Sequence, residues 1–269
     1  MKITILIPAY NEESRILLTL EDVYSYFKSS DYIVEIIVVD DGSIDSTSHI
    51  VRDFARNHTI SLDGRMNGDL NCDKKFTIKL FSYPKNEGKG YAVRFGALNA
   101  TGEYLLVIDA DGSTPVSEFQ KLLNVSLKED ATIVIGSRAL PSGETVLTTS
   151  FHRKYLGRLF NLFVRFLSVG ELRKYNLQDT QCGFKLFSKK AYKTIFPLQT
   201  ISGFAFDCEL LTIASLHNIV IREVSVNWTN IAGSKVNLFR DPFFMIIELL
   251  KIRYQAAMGI YKGDCSNFG

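Results

Sequence analysis

The chain of 269 residues is long enough for one large domain, and 46% of its residues are hydrophobic, which excludes a disordered protein. The formal net charge is only +2, and no nucleic-acid-binding motif is present, so no nucleic-acid partner is expected. Four widely spaced cysteines without a CxxC pair indicate a reducing compartment and disfavour a zinc site. No apolar run reaches the ~18 residues of a membrane span, and the first residues already read as a strand, so neither a spanning helix nor a signal peptide is expected.

The first half of the chain alternates short apolar runs with helical patterns. The runs, rich in Ile and Val, predict strands at residues 2–7, 33–39, 76–81, 104–108 and 132–135. Helices are predicted near residues 14–28, 46–57, 90–100 and 116–126. This alternation is typical of an α/β fold with a mostly parallel sheet and helices on both faces. Residues 58–75 are polar and predict a loop insertion without a core of its own.

Two carboxylates, Asp109 and Asp111, follow the predicted strand at residues 104–108. Open α/β sheets bind ligands at the carboxyl ends of their strands. Two hard oxygen ligands at this position suit Mg²⁺ or Mn²⁺ held against a diphosphate. The alternative is an ordinary turn, since the sequence Asp-Ala-Asp-Gly also favours turns.

Other predicted strand ends carry polar groups as well. The first is followed by Tyr10 and Glu12, and the second ends in Asp40 and Asp41. Neither a GxGxxG fingerprint nor a P-loop is present, so a nucleotide would bind through other groups. One of the two aspartates can accept hydrogen bonds from a base or a ribose, and Lys89, between two glycines, can approach phosphate. Turn and helix-cap chemistry is the alternative for each.

Positive charge and apolar surface coincide in the second half. Residues 151–200 contain ten Lys or Arg and two acidic residues. We expect a basic, aromatic-rich helix at residues 150–170 that lies on a membrane surface, although a core helix with a basic edge fits equally well. A second amphipathic helix is expected after Asp241 and Pro242, within a C-terminal segment of residues 236–269. The catalytic domain would then span residues 1–235.

Several stretches together resemble the ordered motifs of family 2 glycosyltransferases with the GT-A fold. They are residues 7–12, 38–43, 86–90 and 109–111. Residues 136–138, 179–187, 206–209 and 233–235 further resemble the dolichyl-phosphate β-glucosyltransferase branch. The resemblance covers nearly the whole chain.

The resemblance implies transfer of glucose from UDP-glucose to dolichyl or another polyprenyl phosphate, with inversion at the anomeric carbon. The product would be dolichyl β-D-glucosyl phosphate for protein N-glycosylation. The nucleoside site would include Pro8, Tyr10, Glu12 and Asp41, with Asp40 facing the uracil. Eukaryotic relatives usually begin with a membrane-spanning helix, which this chain lacks. Peripheral association is therefore expected on the cytosolic face of a membrane, the endoplasmic reticulum if the protein is eukaryotic.

The same resemblance implies catalytic roles for Asp109 and Asp111, which would hold Mg²⁺ or Mn²⁺ and the diphosphate. Arg138, Lys185 and Gln181 would face the acceptor phosphate. Since a phosphate monoester has its second pKa near about 6, such an acceptor needs no strong general base. A sugar hydroxyl would need one, and Asp207, Glu209 or Asp179 would then be the candidates.

Three alternatives stay open at this point. The first is a polyprenyl-phosphate mannose synthase that uses GDP-mannose. The second is a family 2 enzyme with a sugar-hydroxyl acceptor, in which the basic apolar segment would have no role. The third is a catalytically inactive nucleotide-sugar-binding membrane scaffold. The sequence does not determine the oligomeric state.

Overall fold

The computed structural model describes residues 1–58, 60–62, 73–140, 175–231 and 240–263. Within these residues, eight strands form one mixed sheet in the order β3-β4-β2-β1-β5-β7-β6-β8. The strands are β1 Lys2–Ala9, β2 Ile33–Asp40, β3 Ile60–Leu62, β4 Asp73–Ser82, β5 Tyr104–Ile108, β6 Ile133–Ser137, β7 Phe184–Ser188 and β8 Ile221–Ser225.

Helices cover both faces of the sheet in the described part of the chain. They are α1 Ile16–Lys28, α2 Thr47–Asn57, α3 Lys89–Leu98, α4 Phe119–Lys128, α5 Lys189–Ile195, α6 Phe206–Leu216 and α7 Arg240–Ala257. Short 3₁₀ turns lie at Val116–Glu118, Phe196–Leu198 and Ile260–Lys262. The predicted fold class, an α/β protein with a mostly parallel sheet, is confirmed.

The central strands β1 and β2 are buried on both faces, as expected for parallel strands between two helical layers. Alternate side chains of β1 enter different cores. Ile5 packs with α1, α2 and α4 on one face, whereas Leu6 packs with α3, α5, α6 and α7 on the other. The continuous Ile and Val runs therefore reflect a three-layer arrangement.

The strand ends meet at one edge of the sheet because β1 pairs in parallel with both β2 and β5. Ala9 lies opposite Asp40, so the loops after β1 and β2 begin side by side. The backbone N–H of Asp41 donates to the carbonyl oxygen of Ala9 at 2.8 Å, which fixes the two loops together. Predicted site residues from distant parts of the sequence thereby reach a common edge.

Strand β7 was not predicted, and it is the antiparallel member of the sheet. It lies between β5 and β6, with Phe184 opposite Ile108 and Lys185 opposite Val107. Because β7 runs in the opposite direction, its first residues lie at the edge where β5 ends. Cys182 and Gly183 therefore lie beside the Asp109 loop.

The predicted loop insertion at residues 58–75 is partly wrong. Ile60–Leu62 forms the edge strand β3, and β4 already begins at Asp73. Ile60 is buried in the core on the α1 and α2 side, which explains why this short segment joins the sheet. Residues 63–72 lie outside the described residues.

Helix α7 follows the predicted boundary at residue 235, which itself lies outside the described residues. Its inner side, with Leu249 and Ile252, enters the same core as α6. Its outer side exposes Phe243, Phe244, Ile247, Leu250 and Tyr254, and the exposed Met258 directly follows the helix. None of the helices among the described residues is long and apolar enough to span a membrane. The predicted basic helix at residues 150–170 and the motif at residues 233–235 also lie outside the described residues.

Candidate active site

Asp109 and Asp111 lie directly after β5, at the edge where the parallel strands end. An oxygen of Asp109 accepts a hydrogen bond from the Lys89 ammonium, with 2.6 Å between Oδ1 and Nζ. Asp111 Oδ1 accepts the backbone N–H of Ser113 at 2.9 Å, which fixes the turn. Asp111 thus takes part in a turn, and its carboxylate stays partly exposed.

The pKa of Asp109 is shifted by two opposing effects. Burial alone would raise the pKa of this carboxyl, but the adjacent Lys89 ammonium, together with the charges of Lys185 and Arg138, lowers it below its usual value. Burial would conversely lower the pKa of Lys89, yet the charges of Asp109 and Asp207 raise it. Both groups are therefore charged at neutral pH, and Lys89 supplies a fixed positive charge beside the two aspartates.

Gly183 gives the Asp109 carboxylate its space. A Cβ atom on Gly183 would lie 1.9 Å from Oδ2 of Asp109 and 2.5 Å from Oδ1. Any side chain at this position would displace the carboxylate. The residue belongs to the predicted 179–187 motif, but its function as the wall behind Asp109 is visible only in the structure.

Lys185 and Asp207 form a buried ion pair. The Lys185 ammonium lies 2.7 Å from Oδ1 of Asp207 and also donates to the carbonyl oxygen of Cys182 at 2.5 Å. Only 3% of Lys185 is exposed. Its positive charge is therefore used inside the protein, and this geometry does not favour the predicted contact of Lys185 with the acceptor phosphate. Burial raises the pKa of Asp207, although the neighbouring lysines oppose the shift.

A small cavity connects these charged groups. Its volume of about 10 Å³ is close to that needed for one water molecule. The cavity marks where α3, β5, β7 and α6 meet, beside the predicted diphosphate position. Its lining includes Lys89, Asp109, Gly183, Lys185, Phe206 and Asp207.

Arg138 follows β6 and pairs with Asp179 through two parallel hydrogen bonds. The distances are 2.7 Å from Nε to Oδ2 and 2.8 Å from Nη2 to Oδ1. Burial alone would raise the pKa of Asp179, but the guanidinium lowers it. The Arg138 guanidinium carbon also lies 5.7 Å from the ring centre of Trp228. The fork of Arg138 is thus oriented by Asp179, while about a third of its side chain stays exposed.

Asp40 and Asp41 are both buried, and each organises a loop. Asp40 accepts the N–H of Ser43 at 3.0 Å and the hydroxyl of Ser48. Asp41 accepts the N–H groups of Glu87 and Gly88 at 2.8 and 2.9 Å. Burial raises the pKa of Asp41 despite these bonds. Asp41 therefore holds the loop that leads to Lys89.

The remaining predicted site residues lie near the same edge. Pro8 is buried near the end of β1, and 37% of Tyr10 is exposed. Glu12 is buried, and its carboxylate pairs with Arg15. Gln181 is partly exposed next to Cys182, and its N–H donates to Asp179 at 3.3 Å.

The three candidate general bases differ in their surroundings. Asp179 is bound to Arg138, and its lowered pKa makes it a weak base. Glu209 is fully buried and accepts hydrogen bonds from Thr200 N, Ile201 N and the Tyr261 hydroxyl at 2.8 to 2.9 Å. Glu209 therefore has a structural function. Asp207, with a raised pKa and a place in the cavity wall, is the one of the three that fits a base.

Asp109 and Asp111 fit a divalent cation by their chemistry. Both are partly exposed carboxylates on one short turn, and Mg²⁺ and Mn²⁺ prefer such hard oxygen ligands. Within the described residues, no group of three or more His, Cys, Asp or Glu side chains could hold a metal on its own.

The comparisons with known proteins agree with this architecture. A model of the family described as "Glycosyl transferase family 2" matches residues 4–196. The chain is 36% identical to the dolichyl-phosphate beta-glucosyltransferase of Dictyostelium discoideum, over 97% of this chain and 76% of that protein. It is 34% identical to the proteins of the same name from Homo sapiens and Saccharomyces cerevisiae, over 97% of this chain and 78% and 77% of theirs.

Two solved structures share the fold. One is glucosyl-3-phosphoglycerate synthase from Mycobacterium tuberculosis in complex with Mn²⁺, uridine diphosphate and glucosyl-3-phosphoglycerate. It aligns with a TM-score of 0.65 at 19% identity and covers 94% of this chain and 79% of that chain. The other is mannosyl-3-phosphoglycerate synthase from Rubrobacter xylanophilus, with a TM-score of 0.64 at 16% identity, over 96% of this chain and 75% of that chain. At these identities the similarity supports the fold alone.

Proposed function

The chain belongs to glycosyltransferase family 2, and we propose that it transfers glucose from UDP-glucose to dolichyl phosphate with inversion at the anomeric carbon. The observation that carries this proposal is the similarity, over 97% of the chain, to relatives named dolichyl-phosphate beta-glucosyltransferase. The proposed product is dolichyl β-D-glucosyl phosphate, which would serve protein N-glycosylation on the cytosolic face of the endoplasmic reticulum.

We place the nucleoside at the ends of β1 and β2. Pro8 and the exposed ring of Tyr10 would line its pocket, with Glu12 behind them and Asp40 opposite the uracil. Asp41 would contribute by holding the loop before Lys89, to which it is bonded through two backbone N–H groups. This position leaves the diphosphate beside Lys89 and the β5 turn.

Three charged groups would receive the diphosphate. Asp109 and Asp111 would hold Mg²⁺ or Mn²⁺, which supplies neutralisation of the negative charge that develops on departing UDP. Lys89 is protonated at neutral pH because Asp109 and Asp207 raise its pKa. Its ammonium can therefore stabilise the same charge without moving a proton. The choice of Mg²⁺ or Mn²⁺ rests on the two carboxylates, since both cations prefer hard oxygen ligands.

We assign the acceptor phosphate to Arg138 and Gln181. Asp179 orients the Arg138 guanidinium, and the exposed part of that side chain provides the positive charge that brings two anionic reactants together. Lys185 would act indirectly, by holding Asp207 in the cavity wall. Since the phosphate acceptor is already ionised near neutral pH, the reaction needs orientation and charge stabilisation more than a general base.

A membrane surface is the proposed location of the lipid acceptor. The outer side of α7 exposes five large apolar side chains. A helix of this kind can lie in the interface of a bilayer and leave the charged site in water. We therefore propose peripheral association through α7.

The test is a transfer assay with radiolabelled UDP-glucose, GDP-mannose and dolichyl phosphate, with and without Mg²⁺ or Mn²⁺. We expect a glucolipid only from UDP-glucose, and loss of product with a chelator. Mannolipid would instead indicate a mannose synthase, and a labelled soluble product would indicate a sugar-hydroxyl acceptor. Nucleotide binding without turnover would indicate an inactive scaffold.

Asp111→Ala should reduce transfer by at least about a hundredfold if the cation stabilises the leaving group, since one electrostatic contact of this type contributes ~10²–10³ in rate. Asp53→Ala is the matched control, because Asp53 is an exposed aspartate that pairs on α2 with His49 and Arg56. An unchanged rate in Asp111→Ala would contradict the cation assignment without contradicting glucose transfer.

A further inference from the structure

The loop at residues 199–205 connects the start of α6 with the turn that carries Lys89. The backbone N–H of Tyr91 donates to the carbonyl oxygen of Ser202 at 3.2 Å. The Gln199 side-chain amide donates to the carbonyl oxygen of Gly90 at 2.8 Å. The two residues that directly follow Lys89 are therefore bonded to this loop.

Two glycines allow an even closer approach. A Cβ atom on Gly88 would lie 2.4 Å from the carbonyl oxygen of Ser202, and one on Gly90 would lie 2.6 Å from that of Ile201. Gly88 also has a φ of +106°, a conformation that other residues rarely adopt. The two backbones are thus packed against each other without intervening side chains, so a shift of one must move the other.

Helix α7 fixes the far end of the same loop through Glu248. Its Oε2 accepts the backbone N–H of Ala205 at 3.1 Å, directly before α6 begins. Ala205 has no side chain that could cap this helix, and Glu248 from a different helix accepts the N–H of Ala205 itself, one of the N–H groups that lack a partner within α6. The Glu248 carboxylate also occupies the space in front of Gly203, where a Cβ atom would lie 2.1 Å from Oε1.

We propose that Glu248 is a positioning residue for the donor site, acting through the loop at residues 199–205. It holds the loop against the Gly88–Tyr91 backbone and so fixes the place of Lys89. It also fixes the first turn of α6, which carries Asp207 into the cavity wall. This inference rests on the proposed function for its link to UDP-glucose, but the coupling between α7 and the Lys89 turn stands on the contacts alone.

Three variants test this coupling. Glu248→Ala removes the acceptor, whereas Glu248→Gln keeps an amide oxygen that can accept the Ala205 N–H. Gly203→Ala leaves Glu248 in place but pushes its carboxylate away. Glu129→Ala is the control, because it removes a carboxylate that pairs with Arg222 and makes none of these loop contacts.

The first measurement is amide hydrogen exchange at Ala205 and Tyr91 in the folded protein. We expect exchange at both amides to become about tenfold faster in Glu248→Ala and Gly203→Ala, and to be restored in Glu248→Gln. Faster exchange at Ala205 with unchanged exchange at Tyr91 would overturn the coupling. If Glu248→Ala does not fold, Gly203→Ala with the glutamine variant gives the same comparison.

The second measurement separates the two substrates. We expect the KM for UDP-glucose to rise about tenfold, which corresponds to about 1.4 kcal/mol, while the KM for dolichyl phosphate stays within about twofold. Equal changes in both values, or none, would overturn the positioning role. If the unmodified protein transfers no glucose, the proposed function fails, but the exchange at Tyr91 still decides whether Glu248 controls the Lys89 turn.

Discussion

Gly183→Ala should reduce catalysis far more than stability. The added Cβ atom would lie 1.9 Å from Oδ2 of Asp109, whereas relaxed contacts between heavy atoms are about 3.5 Å. The carboxylate must therefore retreat by roughly 1.6 Å. The hydrogen bond between Asp109 and Lys89 joins atoms only 2.6 Å apart, so a movement of this size away from β7 disrupts its geometry.

The size of each effect follows from the surroundings of Asp109. Its side chain is about one-third exposed, so the carboxylate can swing towards solvent, and the cost of overpacking should be near the lower end of the usual ~1–3 kcal/mol. A reacting group displaced by about 1 Å can lower a rate by ~10²-fold. We therefore expect glucose transfer to fall by about a hundredfold while the protein stays folded.

Two measurements check this prediction. One is the rate of glucolipid formation at saturating UDP-glucose and dolichyl phosphate. The other is the free energy of unfolding in denaturant, measured for Gly183→Ala in the natural protein and in an Asp109→Ala background. In that background the added Cβ meets no carboxylate, so the cost of Gly183→Ala should largely disappear.

The reasoning is refuted if the two backgrounds show the same loss of stability, because the clash would then involve other atoms. It is also refuted if Gly183→Ala transfers glucose within about threefold of the natural rate. The stability comparison holds for any donor or acceptor, so it tests the geometry independently of the proposed function.

Three further predictions concern buried charge and the apolar surface. Lys185→Met should lower the unfolding free energy by about 3–5 kcal/mol, because it leaves the buried Asp207 without its ion-pair partner. Adding Asp207→Leu should restore most of this free energy, and a double variant as unstable as Lys185→Met would contradict the prediction. The pKa of Asp179 is lower in the folded protein than in the unfolded chain, where it is about 3.9. The stability that Asp179 contributes is therefore fully present above the unfolded-state pKa and is lost as the pH falls through the folded-state pKa. The loss of unfolding free energy caused by Asp179→Asn, measured in denaturant titrations, should accordingly be smaller at pH 3 than at pH 7. An equal loss at both pH values would refute this prediction. The double variant Ile247→Ser, Leu250→Ser should float less with anionic liposomes. Its unfolding free energy should stay within about 0.5 kcal/mol of that of the natural protein, because both side chains are exposed. Undiminished flotation would exclude this face as the docking surface.

Much of the sheet could be predicted because buried parallel strands leave a strong pattern. In β1 and β2 nearly every side chain is buried, so the sequence shows continuous Ile and Val runs. Strand β7 gives a weaker signal, since it contains Lys185 within five residues and enters the sheet between two strands that precede it in the chain. The three residues of β3 and the charged strand β8 are similarly weak patterns. Periodicity alone does not reveal such insertions.

The edge of the sheet at which the candidate residues meet could be predicted, but the partners of their charged groups could not. Asp109, Asp111 and Lys89 each follow or precede a predicted element at the expected edge. The pairs Arg138 with Asp179 and Lys185 with Asp207 depend on tertiary contacts between residues far apart in the chain. Sequence reasoning therefore treated these cations as groups for phosphate, whereas the structure has Asp179 orient Arg138 and buries Lys185. The structural role of Glu209 could not be predicted either, because its bonds to Thr200, Ile201 and Tyr261 depend on the folded chain.

The two sides of α7 explain why removal of the C-terminal segment would not isolate a membrane function. The outer side is exposed and apolar, but the inner side contributes Leu249 and Ile252 to the core. Glu248 bonds to the loop that contacts the Lys89 turn. Deleting this helix would thus disturb donor binding even in an assay without lipid. Substitutions confined to the outer side separate the two functions, because they leave the core and the Glu248 contact intact.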